Sequence, residues 1–119
     1  MKLLESFRDL KIGQKVAWRP ACPDEEQWVC ICQVKGFYKK TTYPIRRDCS
    51  VYTSTERVVF DVLTKNNNSY QLNSILLGLN RKNEIDSPYS YERELWEVYL
   101  LENERDYIEV LKNILADSL

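Results

Sequence analysis

Residues 10–19 read LKIGQKVAWR and residues 27–35 read QWVCICQVK. In the first, Gly13 supplies a turn, and Val16 and Trp18 then alternate with Lys15, Ala17 and Arg19, the period-two pattern of a short strand. Pro20 and Pro23 stop it, and three successive acids, Asp24, Glu25 and Glu26, keep the next loop solvated. In the second stretch the alternation predicts Trp28, Cys30, Cys32 and Val34 on one face and Val29, Ile31, Gln33 and Lys35 on the other. Both faces are apolar at its start, which places this strand in the middle of a sheet.

Working outward, Gly36 is expected to open a long polar connection, and residues 57–64, RVVFDVLT, are dense in β-branched and aromatic side chains and read as the next strand. Residues 65–69, KNNNS, suit a hairpin loop because Asn tolerates positive φ, with Tyr70 to Leu72 returning along the strand. Residues 75–79, ILLGL, are too short for a helix and read as a buried turn, followed by a loop containing Pro88. Residues 94–101, ELWEVYLL, fit a closing strand better than the first turns of a helix, in which case the sheet would have four strands under a helical hairpin. Asn103 with Asp106 three residues later marks a helix start, and Tyr107, Val110, Leu111, Ile114 and Leu115 follow at helical spacing, so a helix is expected from Asn103 or Glu104 to near Ala116.

The expected fold is therefore α+β: about five short antiparallel strands forming a small barrel-like sheet, finished by a C-terminal amphipathic helix. The strand order, read with LKIGQKVAW, the Asn-rich hairpin and the turn NSILLGL, resembles small barrels of the Src-homology-3 or Tudor type. That resemblance implies a binding scaffold and no particular partner.

With 119 residues the chain makes one domain, 1–119. At 44% hydrophobic and 29% charged residues it has the composition of an ordinary globular chain. Residues 1–10, MKLLESFRDL, lack the run of about 7–15 apolar residues of a secretory leader, and nothing approaches the roughly 20 of a membrane span. The expectation is a cytoplasmic protein without a membrane partner, whose Cys22, Cys30, Cys32 and Cys49 stay reduced.

Chemistry narrows next. There is no His, the usual proton carrier near neutral pH and the commonest metal ligand. The cysteines are separated by seven, one and sixteen residues, unlike the C-x(2–4)-C knuckles of structural zinc sites, so no metal is expected. Gly13, Gly36 and Gly78 are isolated, which excludes a glycine-rich phosphate loop. No catalytic residue and no cofactor is assigned, and the chain is read as a non-enzyme.

Charge supplies the candidate sites. Residues 1–83 carry 14 basic and 8 acidic side chains, and residues 84–119 carry 3 basic and 10 acidic. Either an acidic helix neutralises a basic sheet, or one of the two surfaces meets a partner. In residues 35–47, KGFYKKTTYPIRR, the aromatics Phe37, Tyr38 and Tyr43 lie among Lys39, Lys40, Arg46 and Arg47 in what reads as a solvated loop. Glu102, Glu104, Asp106, Glu109 and Asp117 are expected along the outer side of the helix, with Glu102 and Glu109 as its test positions. The resulting expectation is a non-catalytic protein-binding or regulatory module, an adaptor or inhibitor with a protein partner. The alternative is single-stranded nucleic acid held by the basic aromatic loop, its rings stacking on bases and its cations neutralising phosphates.

Overall fold

The computed structural model describes residues 1–21, 27–42, 53–66, 84–88 and 96–116. They form strands β1 (Lys2–Leu3), β2 (Lys15–Pro20), β3 (Cys30–Thr42), β4 (Thr53–Lys65), β5 (Glu84–Pro88) and β6 (Trp96–Leu101), then helix α1 (Glu104–Ala116). The sheet order is β1-β6-β2-β3-β4-β5 and every pairing is antiparallel. An α+β chain with an antiparallel sheet and a C-terminal helix is what the sequence leads one to expect. Closure into a barrel is not observed: among the described residues the six strands run as an open strip. No described helix is long and apolar enough to cross a membrane.

Gly13 sits at φ 93°, a left-handed turn that glycine adopts without steric cost. Its N–H donates to the Val34 carbonyl at 2.9 Å, and the Val34 N–H donates to the Gln14 carbonyl at 2.8 Å, so the turn is bonded to the strand it leads beside. Both faces of the sheet are buried at its centre. On one, Val16, Trp18, Cys30, Cys32, Val34, Val58, Phe60, Ile85 and Val98 form a core covered by Leu4, Phe7 and Leu10 of the N-terminal segment. On the other, Val110 and Ile114 of α1 pack on Ala17, Ile31 and Leu101, with Trp28 beside them.

The expected alternation along residues 27–35 holds from Cys30 to Val34 and fails before it. Val29 joins the core of Cys30, and Trp28 goes to the helix side. The cause is a bulge: the Val29 N–H donates to the Trp18 carbonyl at 2.8 Å while Cys30 is Trp18's register partner, so two residues oppose one. Leu115, expected inward, is 51% exposed, because the sheet covers only part of α1's wide apolar arc.

Three segments depart further from expectation. Lys2–Leu3 and Glu84–Pro88 are strands, the latter in place of the expected Pro88 loop. Residues 35–42, expected as loop, continue β3 and pair with β4 as far as Thr42 opposite Thr53. Their strand character comes from β-branched and aromatic residues and from an in-register partner, which outweigh Gly36. The expected loop at 65–69 begins beyond Lys65, which ends β4; its remainder, the return of Tyr70 to Leu72 and the turn at 75–79 lie outside the described residues, apart from the buried Asn66.

Candidate interaction surface

The long β3–β4 hairpin is what carries the basic aromatic residues. Thirteen residues per strand span about 43 Å at roughly 3.3 Å each, within a longest molecular dimension of 57 Å. β5 pairs with β4 only over Arg57 to Asp61, and β2 pairs with β3 only over Cys30 to Gln33. Beyond Tyr38 and Arg57, therefore, the two strands have only each other as partners among the described residues: an arm leaves the sheet.

Register decides which side chains the arm brings together. Lys35 is an extra residue between the pairs Val34–Phe60 and Gly36–Val59, and this bulge resets the alternation. Phe37 falls opposite Val58 and so shares the face of the N-terminal core, whereas Tyr38 falls opposite Arg57 on the other face. Phe37 is 37% and Tyr38 40% exposed. The rings expected on one surface are thus split between two. Lys39 is exposed and its register partner is Glu56; Lys40 stands opposite Thr55; Tyr43, Arg46 and Arg47 lie outside the described residues.

Acids from β5 meet the arm's base. Lys35 Nζ pairs with Glu84 Oε1, and the Tyr38 hydroxyl donates to Asp86 Oδ2. Burial pushes the Asp86 carboxyl above its ordinary 3.8. Asp86 Oδ1 and Arg57 Nε are buried without a hydrogen-bond partner.

The helix acids are placed differently from expectation. Asp106 does not line an outer side: its carboxylate is 13% exposed and lies 3.1 Å from the Met1 ammonium. Glu102 Oε1 is 3.5 Å from the same nitrogen. The Asp106 N–H donates to Asn103 Oδ1 at 2.9 Å, which makes Asn103 the N-cap the sequence indicated. Glu104 and Glu109 are exposed, and the exposed Arg105 and Lys112 share the helix with them. Asp117 lies outside the described residues. The ion pairs Met1–Glu102, Met1–Asp106, Arg19–Glu97 and Lys35–Glu84 all join the basic first part of the chain to its acidic last part.

Sequence reasoning missed one cluster. The Arg19 guanidinium lies 4.9 Å from the Trp28 ring centroid and 4.7 Å from that of Tyr99. Its Nε donates to Glu97 Oε2 at 2.8 Å and a terminal nitrogen donates to the Tyr99 hydroxyl at 2.8 Å. Burial opposes the charge, but the hydrogen bonds and charges of Glu97 and Tyr99 outweigh it. The signal available was Glu97 and Tyr99 two apart on a strand, with Arg19 alternating on its neighbour.

Two clefts flank the start of β2. One of about 440 Å³ is lined by Gly13, Lys15, Leu101, Asn103 and Tyr107, and one of about 480 Å³ by Lys2, Leu4, Ser6, Asp9 and Leu100. Their polar atoms serve local turns: Ser6 Oγ accepts from the Arg8 N–H and Gln14 Oε1 from the Lys11 N–H. Cys30 and Cys32 are free, fully buried thiols with sulfurs 3.8 Å apart. The hydrogen bond to Cys30, and then burial, hold the Cys32 thiol well above its ordinary 9.0, which disfavours the thiolate needed for nucleophilic or metal chemistry. Compared with protein families, with curated proteins and with solved structures, the chain matches none.

Proposed function

We propose that this chain is a non-catalytic binding module, an adaptor or inhibitor of the cytoplasm, that engages a partner protein through the β3–β4 arm. The observation that carries the reading is the β3–β4 ribbon, which among the described residues extends past its neighbours, with Phe37 and Tyr38 exposed at its base and Lys39 exposed just beyond. Aromatic side chains with a polar rim are what protein interfaces use for affinity. The charges favour protein over nucleic acid. Lys35 is matched by Glu84, so it releases fewer counterions on meeting a polyanion than an unpaired cation does. The small-barrel likeness of the sequence adds only that such scaffolds serve binding.

The second reading is single-stranded nucleic acid on residues 35–47, and it draws on the exposure of Phe37, Tyr38 and Lys39 along the ribbon. The test is capture from nuclease-treated lysate by the wild-type chain, by Phe37→Ala with Tyr38→Ala, and by Lys39→Glu with Lys40→Glu. A protein retained by the wild type and weakened about thirtyfold by the aromatic pair supports the proposal. Binding unchanged by both pairs overturns it, as does a nuclease-sensitive complex whose affinity falls steeply with salt and is lost on charge reversal.

A further inference from the structure

Several cations of this sheet have an acid beside them across the strands. Arg19 stands opposite Glu97, Lys39 opposite Glu56, and Lys35 reaches Glu84. Arg57 has none: its cross-strand neighbours are Tyr38 on β3 and Pro88 on β5, and it makes no ion pair among the described residues. The side chain is half-buried, and its Nε is closed to solvent without a hydrogen-bond partner. A guanidinium does not shed its proton in a protein, so Arg57 stands as a cation whose charge is uncompensated.

The surroundings leave that charge standing. Val58 and Phe60 turn into the N-terminal core, so alternation sends Arg57 to the opposite face, where no described residue of β4 or β5 belongs to the buried cluster under α1. The nearest acid on that face by register is Asp86, opposite Val59 two positions along β4. Its Oδ2 accepts the Tyr38 hydroxyl, and its Oδ1 is buried without a partner. Burial raises the Asp86 carboxyl with no offset from Arg57. A donor and an acceptor on one face are thus both left unpaired, beside an exposed tyrosine. Two positions further out the register pair is Lys40 with Thr55, again without an acid.

We propose that Arg57 is the specificity-determining cation of the arm: it takes a carboxylate of the partner, so the partner protein presents an acidic segment to the Tyr38 face. This rests on the reading of the arm as a protein-binding element and adds what the arm selects. A carboxylate is the group whose two oxygens match the guanidinium fork with parallel N–H···O bonds, and those bonds are stronger at a half-buried position than in open water. The tyrosine ring beside Arg57 offers apolar contact area to the same segment. A second copy docked two-fold on this face brings Arg57 toward its own counterpart. Like charge therefore opposes self-association, and opposite charge selects the partner.

The experiment titrates the full chain with two short labelled peptides, one alternating Glu with Val and one alternating Gln with Val, and with an oligothymidylate of the same length. Anisotropy reads affinity, and the Arg57 Nε–H resonance reads contact on the unsubstituted chain, which holds even where a variant folds poorly. The Glu peptide is expected to bind, to move that resonance, and to bind Arg57→Gln about tenfold or more weakly, while Lys112→Gln, an equal loss of charge on the exposed side of α1, binds as the unsubstituted chain does. Arg57→Lys, with the charge but not the fork, recovers part of the affinity. No binding of the Glu peptide, an unmoved resonance, or equal binding of the Gln peptide overturns the proposal. If the Gln peptide binds equally and Phe37→Ala with Tyr38→Ala abolishes both, the arm remains a protein-binding element and only its choice of an acid fails. If the oligothymidylate binds more tightly than the Glu peptide and is lost in Arg57→Gln, both readings fail.

Discussion

Phe7 allows a segment with only two residues of strand to close half of a core. It is fully buried, its ring meets Phe60 edge-on at 5.3 Å, and it leans on Trp18 at 5.9 Å. Trp18 and Phe60 meet edge-on in turn at 6.0 Å, so three rings share one contact. Phe7→Ala removes the ring that all the others touch, and backbone from a strand cannot move in to fill the space. Its expected cost is about 3–5 kcal/mol, read as a lower denaturant midpoint at unchanged slope; a loss under about 1 kcal/mol would show that the segment is not part of the core. Nothing in the strand or helix patterns exposes this role. Leu4, Phe7 and Leu10 recur every third residue, and that spacing is the one trace the sequence carries of a segment laid across a sheet.

Elements were legible where apolar side chains recur along the strand or helix and illegible where they do not. β2, the start of β3, the middle of β4 and β6 are dense in apolar residues because a core lies on one or both sides of them. Helix α1 was legible to its cap, since Asn103 accepts the Asp106 N–H and Val110 and Ile114 repeat inward. The rest of β3 gave no period-two signal: past Val34 the ribbon shows Lys35, Phe37, Tyr38 and Lys39 all exposed, and without a buried face the alternation has nothing to report. β5 was hidden for another reason: Ile85 is buried in the core, but one apolar side chain between Glu84 and Asp86 makes no pattern. The cap gives the element-scale prediction. Asn103→Ala leaves the Asp106 N–H without its side-chain acceptor and should cost about 1 kcal/mol, within roughly 0.5–2, measured by chemical denaturation. An unaltered midpoint would mean that the contacts of the Asp106 carboxylate alone set the helix start.

At the scale of the whole molecule, folding sets some charges of the basic first part against the acidic last part: Arg19 pairs with Glu97, Lys35 with Glu84, and the Met1 amine with Glu102 and Asp106. The last of these contacts also fixes a pH window. The hydrogen bond from Asp106 holds the Met1 amine above its ordinary 8.0, and the same bond holds the Asp106 carboxyl below its ordinary 3.8. A raised amine contributes stability that is complete below 8.0 and disappears as pH climbs through the folded value. A lowered carboxyl contributes stability that is complete above 3.8 and disappears as pH falls through its folded value. Glu102 and Arg105 are the other charged groups at this contact, and the chain has no His. Subtracting the melting temperature of Asp106→Asn from that of the unsubstituted chain cancels the remaining titrations, including Asp86, whose raised carboxyl acts with the opposite sign at acid pH. The difference is expected to be positive and flat from about pH 5 to about pH 7.5, and to shrink toward zero beyond both ends as either partner loses its charge. A difference that survives undiminished at about pH 10 would mean that Asp106 contributes through its hydrogen bond from the Glu102 N–H rather than through charge.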